Sequence, residues 1–373
     1  MKRATVTLLL ETLRLRGGMT PEQIRVAWST VDITGLRALV AYEGAEAWLY
    51  RKLQQLKTVA PDPLMAELRR LVHATSVTNM RIDAQTIAVT SLLSEASIPW
   101  ALLKGQARRA AVARFPFADA RPISDVDILV PEHHADEAWQ LLRNNGFKRV
   151  NEEPVDWKAD HHQPVLIDAN NVAVELHTTT CMSVAPGEAW RRAIEGADDV
   201  VWSGLNTRVP NATELVWQAL SHSVADGTRG YYLKALLSVA AVLSAAPTLQ
   251  WEVITQRLAN DEVLDNDTEK PVAHERVRRF LSLAATLAGT EIPSSLRPHT
   301  RVELVPLLMW RGWVLSTSLG RAVKDRLLEE ALRAEAMLPV TPATPKRGVF
   351  RALRRRTSSC VARLVYVAWR ATQ

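Results

Sequence analysis

The stretch Arg121-Pro-Ile-Ser-Asp-Val-Asp-Ile-Leu-Val-Pro131 places two aspartates, Asp125 and Asp127, at the start of an apolar run. Side chains two residues apart on a strand point to the same face, so the pattern predicts two neighbouring carboxylates at the start of a buried strand. Adjacent like charges repel each other unless a positive group lies between them. A divalent cation that also binds a polyphosphate is the commonest reason for such a pair, so the stretch predicts a metal site.

The segment upstream of the aspartates carries groups suited to phosphate binding. Ile98-Pro-Trp-Ala-Leu-Leu-Lys104-Gly105 predicts a short apolar strand that ends at a glycine, and residues 106–114 follow in a helical pattern of Ala and Arg. Backbone N–H groups at such a turn bind phosphate oxygens, and Lys104 adds a positive charge. Structural roles are the alternatives to phosphate binding: Lys104 could cap strand carbonyls, and Arg121 could form a salt bridge.

A third acid follows on a predicted hairpin. Residues 165–168 and 172–178 are rich in strand formers and are separated by the turn-forming Ala-Asn-Asn. Glu175 and His177 alternate with apolar residues, so they share a polar face, and we expect His162 on the first strand to share it. The hairpin therefore predicts one more carboxylate and two imidazoles opposite the aspartates. An exposed strand acid and hydrogen-bonded structural histidines are the alternatives.

Taken together, these motifs resemble the bacterial nucleotidyltransferase-like proteins of the DNA polymerase β superfamily over roughly residues 71–225. The resemblance rests on Leu103-Lys104-Gly105, on Arg121 with Ser-Asp-Val-Asp-Ile-Leu-Val, on an amphipathic helix ending in Asn145-Gly146-Phe147, and on Val174-Glu-Leu-His177. It implies an α+β fold: a minimal nucleotidyltransferase core with a mixed β-sheet, flanked by N-terminal and C-terminal helical regions.

The resemblance also implies roles for residues of this chain. Asp125, Asp127 and Glu175 are the expected catalytic residues and the expected ligands of Mg²⁺ or Mn²⁺. The expected nucleotide-binding residues are Lys104, Gly105, Arg121, Ser124 and His177. The implied reaction transfers a nucleoside monophosphate from a nucleoside triphosphate to an acceptor hydroxyl of a small molecule, sugar, peptide or protein. The alternative is a non-catalytic binding module of the same fold, recruited to a membrane or a partner by its tail.

The chain departs from the family pattern in two places. The superfamily usually has Gly-Ser or Gly-Gly where this chain has Lys104-Gly105. Related chains also tend to carry an acidic residue after the tyrosines of the helical region, whereas this chain has Tyr231-Tyr-Leu-Lys234. The second departure concerns the acceptor site more than the metal site.

Composition indicates a soluble protein. The chain has 373 residues, of which 47% are hydrophobic and 23% are charged, and no apolar run approaches the ~18 residues that span a bilayer. The apolar stretch near the N-terminus is too short for a signal peptide. The two cysteines, Cys181 and Cys360, do not form a disulfide framework, which indicates a reducing cytoplasm.

The net charge of +6 is concentrated in one segment. From residue 341 onward there are eight Lys or Arg residues and no Asp or Glu, so residues 1–340 carry a net charge of about −2. A nucleic-acid partner is therefore not expected from charge alone. Residues 346–370 predict a basic amphipathic helix, which can lie on an anionic membrane surface at the inner face of the membrane, bind RNA or dock on its own protein.

Changes in composition predict four regions. Residues 1–97 form a helical N-terminal region, and residues 98–208 form the nucleotidyltransferase-like α/β core. Residues 209–338 form a C-terminal helical domain. Residues 339–373 comprise a Pro/Thr linker and the basic amphipathic tail.

Overall fold

The structure is a computed structural model. It describes residues 2–29, 31, 33, 35–57, 60–111, 117, 120–150, 162–180, 183–225, 232–246, 249–260, 262, 270–299 and 304–316. The predicted Pro/Thr linker and basic tail lie outside the described residues, as do Cys181 and Cys360. No helix among the described residues is long and apolar enough to cross a membrane.

The chain divides into two compact units, each built from segments that are distant in sequence. The first unit comprises Met1–Val72, Ser223–Ala240 and Thr268–Gln373, and the second comprises His73–His222 and Ala241–Asp267. The boundaries proposed from composition, at residues 97, 208 and 338, stay a prediction.

Helices make up most of the described chain, as expected for both flanking regions. The helices are α1 Arg3–Leu13, α2 Pro21–Ser29, α3 Leu36–Tyr42, α4 Glu46–Gln55, α5 Asp62–Glu95, α6 Lys104–Ala110, α7 Ala135–Asn144, α8 Pro186–Ile194, α9 Ala212–Ala225, α10 Tyr232–Ala245, α11 Trp251–Ala259, α12 Lys270–Ala288 and α13 Leu304–Ser316.

Five strands of the second unit form a mixed sheet, which confirms the α+β class. The strands are β1 Ala101–Leu102, β2 Asp125–Leu129, β3 Lys148–Arg149, β4 Leu166–Ile167 and β5 Ala173–His177, and the sheet order is β1-β2-β5-β4-β3. Strands β2 and β5 pair in parallel, and the other neighbours pair antiparallel. The parallel pair lies inside the sheet, so the predicted Asp-Val-Asp strand is flanked on both sides.

A separate two-stranded hairpin follows α8. Strands β6 Asp198–Trp202 and β7 Leu205–Val209 pair antiparallel across a turn at Ser203 and Gly204, both of which have positive φ. Residues of β7 contact β1 and α6. The sequence interpretation did not isolate this hairpin, although a Ser-Gly pair between β-rich segments is a hairpin signal.

Local sequence signals explain several helix ends. Thr20 and Gln23 form a capping box at the start of α2: the Gln23 N–H donates to the Thr20 hydroxyl (3.2 Å) and the Thr20 N–H donates to the Gln23 side chain (2.8 Å). Helix α7 ends with Asn145 as its C-cap, followed by Gly146 at φ +91°. A left-handed glycine after the last helical turn is the arrangement predicted from Asn145-Gly146.

The start of α6 differs from the predicted strand, turn and helix. The helix begins at Lys104 with Leu103 as its N-cap, so Lys104-Gly105 is its first turn and not a loop before it. Lys104 has φ +45°, a left-handed conformation that is strained for a residue with a Cβ. The Leu103 N–H donates to the Asp127 carbonyl (3.1 Å), which extends the β1–β2 ladder up to the helix. Helix α6 ends at Ala110, and residues 112–116 lie outside the described residues.

The hairpin predicted around Ala-Asn-Asn is confirmed. Leu166 pairs with Val174, and Ile167 pairs with Ala173. Asp168 closes the turn, because its Oδ1 accepts from the N–H groups of Asn170 (2.9 Å) and Val172 (2.7 Å). This turn sets the register that places the following acid and histidine of β5.

The first unit contains a fully buried ion pair. The Nε of Arg311 on α13 donates to Glu43, which follows α3, and both side chains are 0% exposed. The Leu233 N–H donates to Glu43 Oε2 (2.8 Å), and the Lys234 N–H donates to the Glu43 carbonyl (3.2 Å). The Arg311 guanidinium also lies over the Tyr42 ring, 5.2 Å from its centroid. One carboxylate thus joins three segments that are distant in sequence.

We expect Arg311→Met to lower the free energy of unfolding by about 3–5 kcal/mol, because it leaves the Glu43 carboxylate buried without its cation. Glu43→Gln combined with Arg311→Met should recover most of that loss, since the neutral amide oxygen still accepts from the Leu233 N–H. Urea denaturation followed by circular dichroism measures both variants. A double variant as unstable as Arg311→Met alone would contradict this role for the charge pair.

Candidate acidic site

Strand pairing brings the acids of two separate segments together. In the parallel β2–β5 ladder, Asp127 lies opposite Glu175, and Leu129 lies opposite His177. Because side chains alternate along a strand, Asp125 and Asp127 share the sheet face on which Glu175 and His177 lie. The polar faces that the sequence predicted separately for β2 and β5 therefore form one surface of the sheet.

Lys104 lies between the carboxylates of the two strands. Its Nζ is 2.7 Å from Asp127 Oδ1 and 3.8 Å from Glu175 Oε2. Helix α6 packs on β2, and the left-handed backbone of Lys104 occurs at the same residue. The ammonium group therefore supplies positive charge where the adjacent acids would otherwise repel each other.

His177 bonds to the same carboxylates. Its Nε2 lies 2.8 Å from Asp127 Oδ1 and 3.3 Å from Glu175 Oε2, which requires the proton on Nε2. His162 pairs with His177 across an antiparallel bridge, and the two rings meet edge-on with centroids 5.5 Å apart. The structure thus places His177 in direct contact with the acids and places His162 beside His177.

Exposure defines an inner and an outer side of this cluster. The side chains of His177 and Asp127 are 0% and 4% exposed, whereas those of Lys104 and Glu175 are 21% and 20% exposed. Asp125 is partly exposed, and the neighbouring Ser124 is exposed. Solvent therefore reaches the cluster from the side of Asp125, Lys104 and Glu175, while His177 lies beneath the carboxylates.

The three carboxyl groups have different proton affinities. Burial and the negative charges of Asp127 and Glu175 raise the pKa of Asp125, which Lys104 and a hydrogen bond from Ser124 only partly offset. Burial raises the pKa of Asp127 too, but Lys104 and His177 lower it more, so the net shift is downward. Glu175 behaves similarly: burial opposes ionisation, yet the hydrogen bond from His177 and the charge of Lys104 lower its pKa. Asp127 and Glu175 are therefore stable carboxylates at neutral pH, and Asp125 is the acid whose charge is compensated least.

The nearby cations are held by these acids. Burial lowers the pKa of Lys104, but the charges of Asp127 and Glu175 raise it above its ordinary value. Burial and Lys104 lower the pKa of His177, and its hydrogen bonds to Asp127 and Glu175 raise it more. Both groups consequently favour their protonated forms next to the carboxylates.

Arg121 and Gly105 form a close contact at the edge of the cluster. A Cβ on Gly105 would lie 2.5 Å from Arg121 Nη1 and 2.4 Å from Ile123 Cγ2, so only glycine fits beneath the guanidinium. Burial lowers the pKa of Arg121, whereas the charges of Asp125 and Asp127 raise it. The guanidinium is thus a cation near the aspartate pair, held against the first turn of α6.

Asn79 on α5 positions the segment that precedes β2, and sequence reasoning missed it. Its Nδ2 donates to the Arg121 carbonyl (2.9 Å), and its Oδ1 accepts from the Ile123 N–H (3.2 Å). These two bonds fix the backbone on either side of Pro122. Asn79 is buried on the face of α5 that also carries Ile82, Thr86 and Leu93, and a polar residue at helical spacing from apolar ones was the available signal.

Three side chains of the cluster form a group that could hold a metal ion once His177 gives up a proton. Single ligand atoms of Asp127, Glu175 and His177 lie within 4.8 Å of one another, which makes these residues a candidate metal group. Asp125, also predicted as a ligand, is not part of that group; it lies two residues along β2 on the same face. The candidate group therefore contains His177, whereas the set of ligands predicted from the sequence contained Asp125.

Comparison with known proteins supports the family seen in the motifs. A family described as uncharacterised nucleotidyltransferases matches residues 29–265. No curated protein matches the chain. Among solved structures, the solution structure of the antibiotic-resistance factor ANT(2'')-Ia matches with 12% identity and a TM-score of 0.35, covering 50% of this chain and 97% of that one. The family match spans more than half of the protein and includes every residue of the acidic cluster: this chain belongs to the uncharacterised nucleotidyltransferase family.

Proposed function

We propose that the protein is a metal-dependent nucleotidyltransferase that transfers a nucleoside monophosphate from a nucleoside triphosphate to an acceptor hydroxyl. The observation that carries the proposal is the pairing of Asp127 with Glu175 beside Asp125 and Lys104 in a chain of this family. Carboxylates on adjacent strands with a cation between them are suited to binding a metal–polyphosphate complex.

The proposed metal ligands are Asp125, Asp127 and Glu175, and the proposed ion is Mg²⁺ or Mn²⁺, because carboxylate oxygens suit these hard cations. When bound, the ion would neutralise phosphate charge and polarise the phosphoryl group that is transferred. His177 is fully buried and hydrogen-bonds two of these acids. Its geometry supports a role in orienting the carboxylates, and direct contact with the nucleotide stays a prediction.

The phosphate-binding groups in this proposal are Lys104, Gly105, Arg121 and Ser124. Lys104 is partly exposed at the outer side of the cluster and binds β and γ oxygens together with the Gly105 N–H. Arg121 contributes positive charge from beside Gly105. The exposed Ser124 hydroxyl bonds Asp125 and borders the same opening.

Glu175 is the proposed general base. Its lowered pKa keeps it ionised at neutral pH, and a fifth of its side chain is exposed, so it can accept a proton from an incoming hydroxyl. The acceptor oxygen then forms a bond to the α-phosphorus as the bond to the bridging oxygen of pyrophosphate breaks. Lys104 and Arg121 stabilise the negative charge that develops on the leaving pyrophosphate.

Asp125→Asn separates function from stability. Since the pKa of Asp125 is raised in the folded chain, its ionisation costs stability; that cost grows as the pH rises above the unfolded pKa and is complete above the folded pKa. At neutral pH without metal, we expect Asp125→Asn to leave the free energy of unfolding unchanged or higher, while binding of ATP, GTP, CTP or UTP with Mg²⁺ is lost. Calorimetric titration and thermal denaturation measure the two effects.

The control for Asp125→Asn is Asp199→Asn, the same substitution at an exposed position of β6 where the side chain is 82% accessible. It should retain nucleotide binding. Wild-type protein that binds none of the four triphosphates, or Asp125→Asn protein that binds them as wild type does, contradicts the proposed function.

Gly105→Ala tests the contact below Arg121. The added Cβ would displace Arg121 or Ile123, and we expect triphosphate affinity to fall at least about tenfold, with a stability loss of about 1–3 kcal/mol from overpacking. Gly187→Ala in α8 is the matched control, because nothing lies within 4 Å of its added Cβ. Calorimetry should show unchanged affinity for the control. Equal affinities for both variants would remove the phosphate-binding role of this turn.

A further inference from the structure

Arg108 is a buried cation on α6, the helix that also carries Lys104. It lies four residues after Lys104 on α6, so the two side chains occupy the same helix face one turn apart. Arg108 is only 4% exposed. A cation in that position extends the positive edge of the cluster along the helix that packs on β2.

The adjacent Arg109 forms a structural ion pair and serves as a comparison for Arg108. Arg109 bonds Asp83 on α5 through two nitrogens, with Nε 2.9 Å from Asp83 Oδ1. Arg108 has no such partner: within the described part of the chain no carboxylate lies in salt-bridge range of it, and its buried Nε has no hydrogen-bond partner. Burying an uncompensated guanidinium destabilises a fold, so a buried arginine without a carboxylate indicates an anion that comes from outside the chain.

The surroundings of Arg108 favour an anion there. Burial and the positive charge of Arg121 lower the pKa of Arg108, and only Asp127 offsets them. Asp127 is already bonded to Lys104 and His177, so its charge is largely compensated. Arg108 is buried and Arg121 is half-buried, and both interact with Asp127, whose charge Lys104 and His177 share. A polyphosphate would stabilise both guanidinium groups.

We propose that Arg108 is a phosphate-binding residue whose guanidinium binds non-bridging β and γ oxygens of the nucleoside triphosphate, beside Lys104. The identity of the ligand rests on the proposed function, whereas the need for an anion rests on the burial and missing partner of Arg108 itself. A planar guanidinium can bind two phosphate oxygens at once, which the Lys104 ammonium cannot do with fixed geometry. The sequence did not reveal this role, because Arg108 and Arg109 look equivalent in an Ala/Arg helix.

The test uses the full-length protein and compares ligands that carry different numbers of phosphate groups. Inorganic tripolyphosphate, ATP and AMP are titrated into wild type, Arg108→Gln and Arg108→Lys by calorimetry with Mg²⁺ present. We expect Arg108→Gln to weaken ATP and tripolyphosphate binding about 10- to 100-fold, with AMP affinity changed less than threefold. Arg108→Lys should fall between wild type and Arg108→Gln, since it keeps the charge and loses the planar fork.

Melting temperature without ligand is the second readout. Removing an unpartnered buried cation should leave the melting temperature of Arg108→Gln unchanged or raise it, whereas Arg109→Gln should lower it by leaving Asp83 unpaired and should leave ATP affinity unchanged. An Arg108→Gln protein that is unfolded, or that binds ATP as wild type does, overturns the role of Arg108. In the second case wild-type binding still supports the proposed function. Wild type that binds neither ATP nor tripolyphosphate overturns both proposals.

Discussion

The hydrogen-bonded contacts of the buried Asp127 carboxylate hold the proposed site together. Its Oδ1 lies 2.7 Å from the Lys104 ammonium and 2.8 Å from His177 Nε2, one group from α6 and the other from β5. A carboxylate that is 4% exposed would be costly without these partners. One oxygen therefore fixes where the helix that carries Lys104 and Arg108 lies on the sheet, and it orients the histidine beneath the acids.

This arrangement explains how three carboxylates can lie close together. Glu175 shares both partners of Asp127, at 3.8 Å from Lys104 Nζ and 3.3 Å from His177 Nε2. Asp125 receives the least compensation, and its pKa is raised by burial and by the two neighbouring acids. An incoming divalent cation would relieve that imbalance and release Lys104 to bind phosphate. The strain at Lys104, whose φ is positive, fits a residue held in place by its side-chain contacts.

Alternation along single strands could be predicted from the sequence, and long-range pairing could not. Asp125 with Asp127, and Glu175 with His177, follow from the two-residue period of a strand, and the turn around Asn170 follows from local chemistry. The parallel register that puts Asp127 opposite Glu175 joins segments 48 residues apart and depends on the whole sheet.

The same limit explains the residues that sequence reasoning missed or misplaced. Asn79 acts through α5, more than 40 residues before the backbone it holds. Lys104, at the start of α6, has a positive φ and an ammonium group bound by Asp127 and Glu175, and no local signal favours that conformation for a lysine. The difference between Arg108 and Arg109 exists only once Asp83 is placed beside one of them. Each of these residues makes contacts with segments distant in sequence, which local propensity does not encode.

The central claim is that the acids of β2 and β5 bind a divalent cation together with a nucleoside triphosphate. Crystals of the protein grown with Mn²⁺ and a non-hydrolysable triphosphate test it most directly, through anomalous diffraction from the manganese. The account predicts one manganese peak within bonding distance of Asp127 and Glu175, with Lys104 Nζ moved from Asp127 to a phosphate oxygen. A nucleotide bound elsewhere, or no manganese at these carboxylates while Lys104 still contacts Asp127, would contradict it.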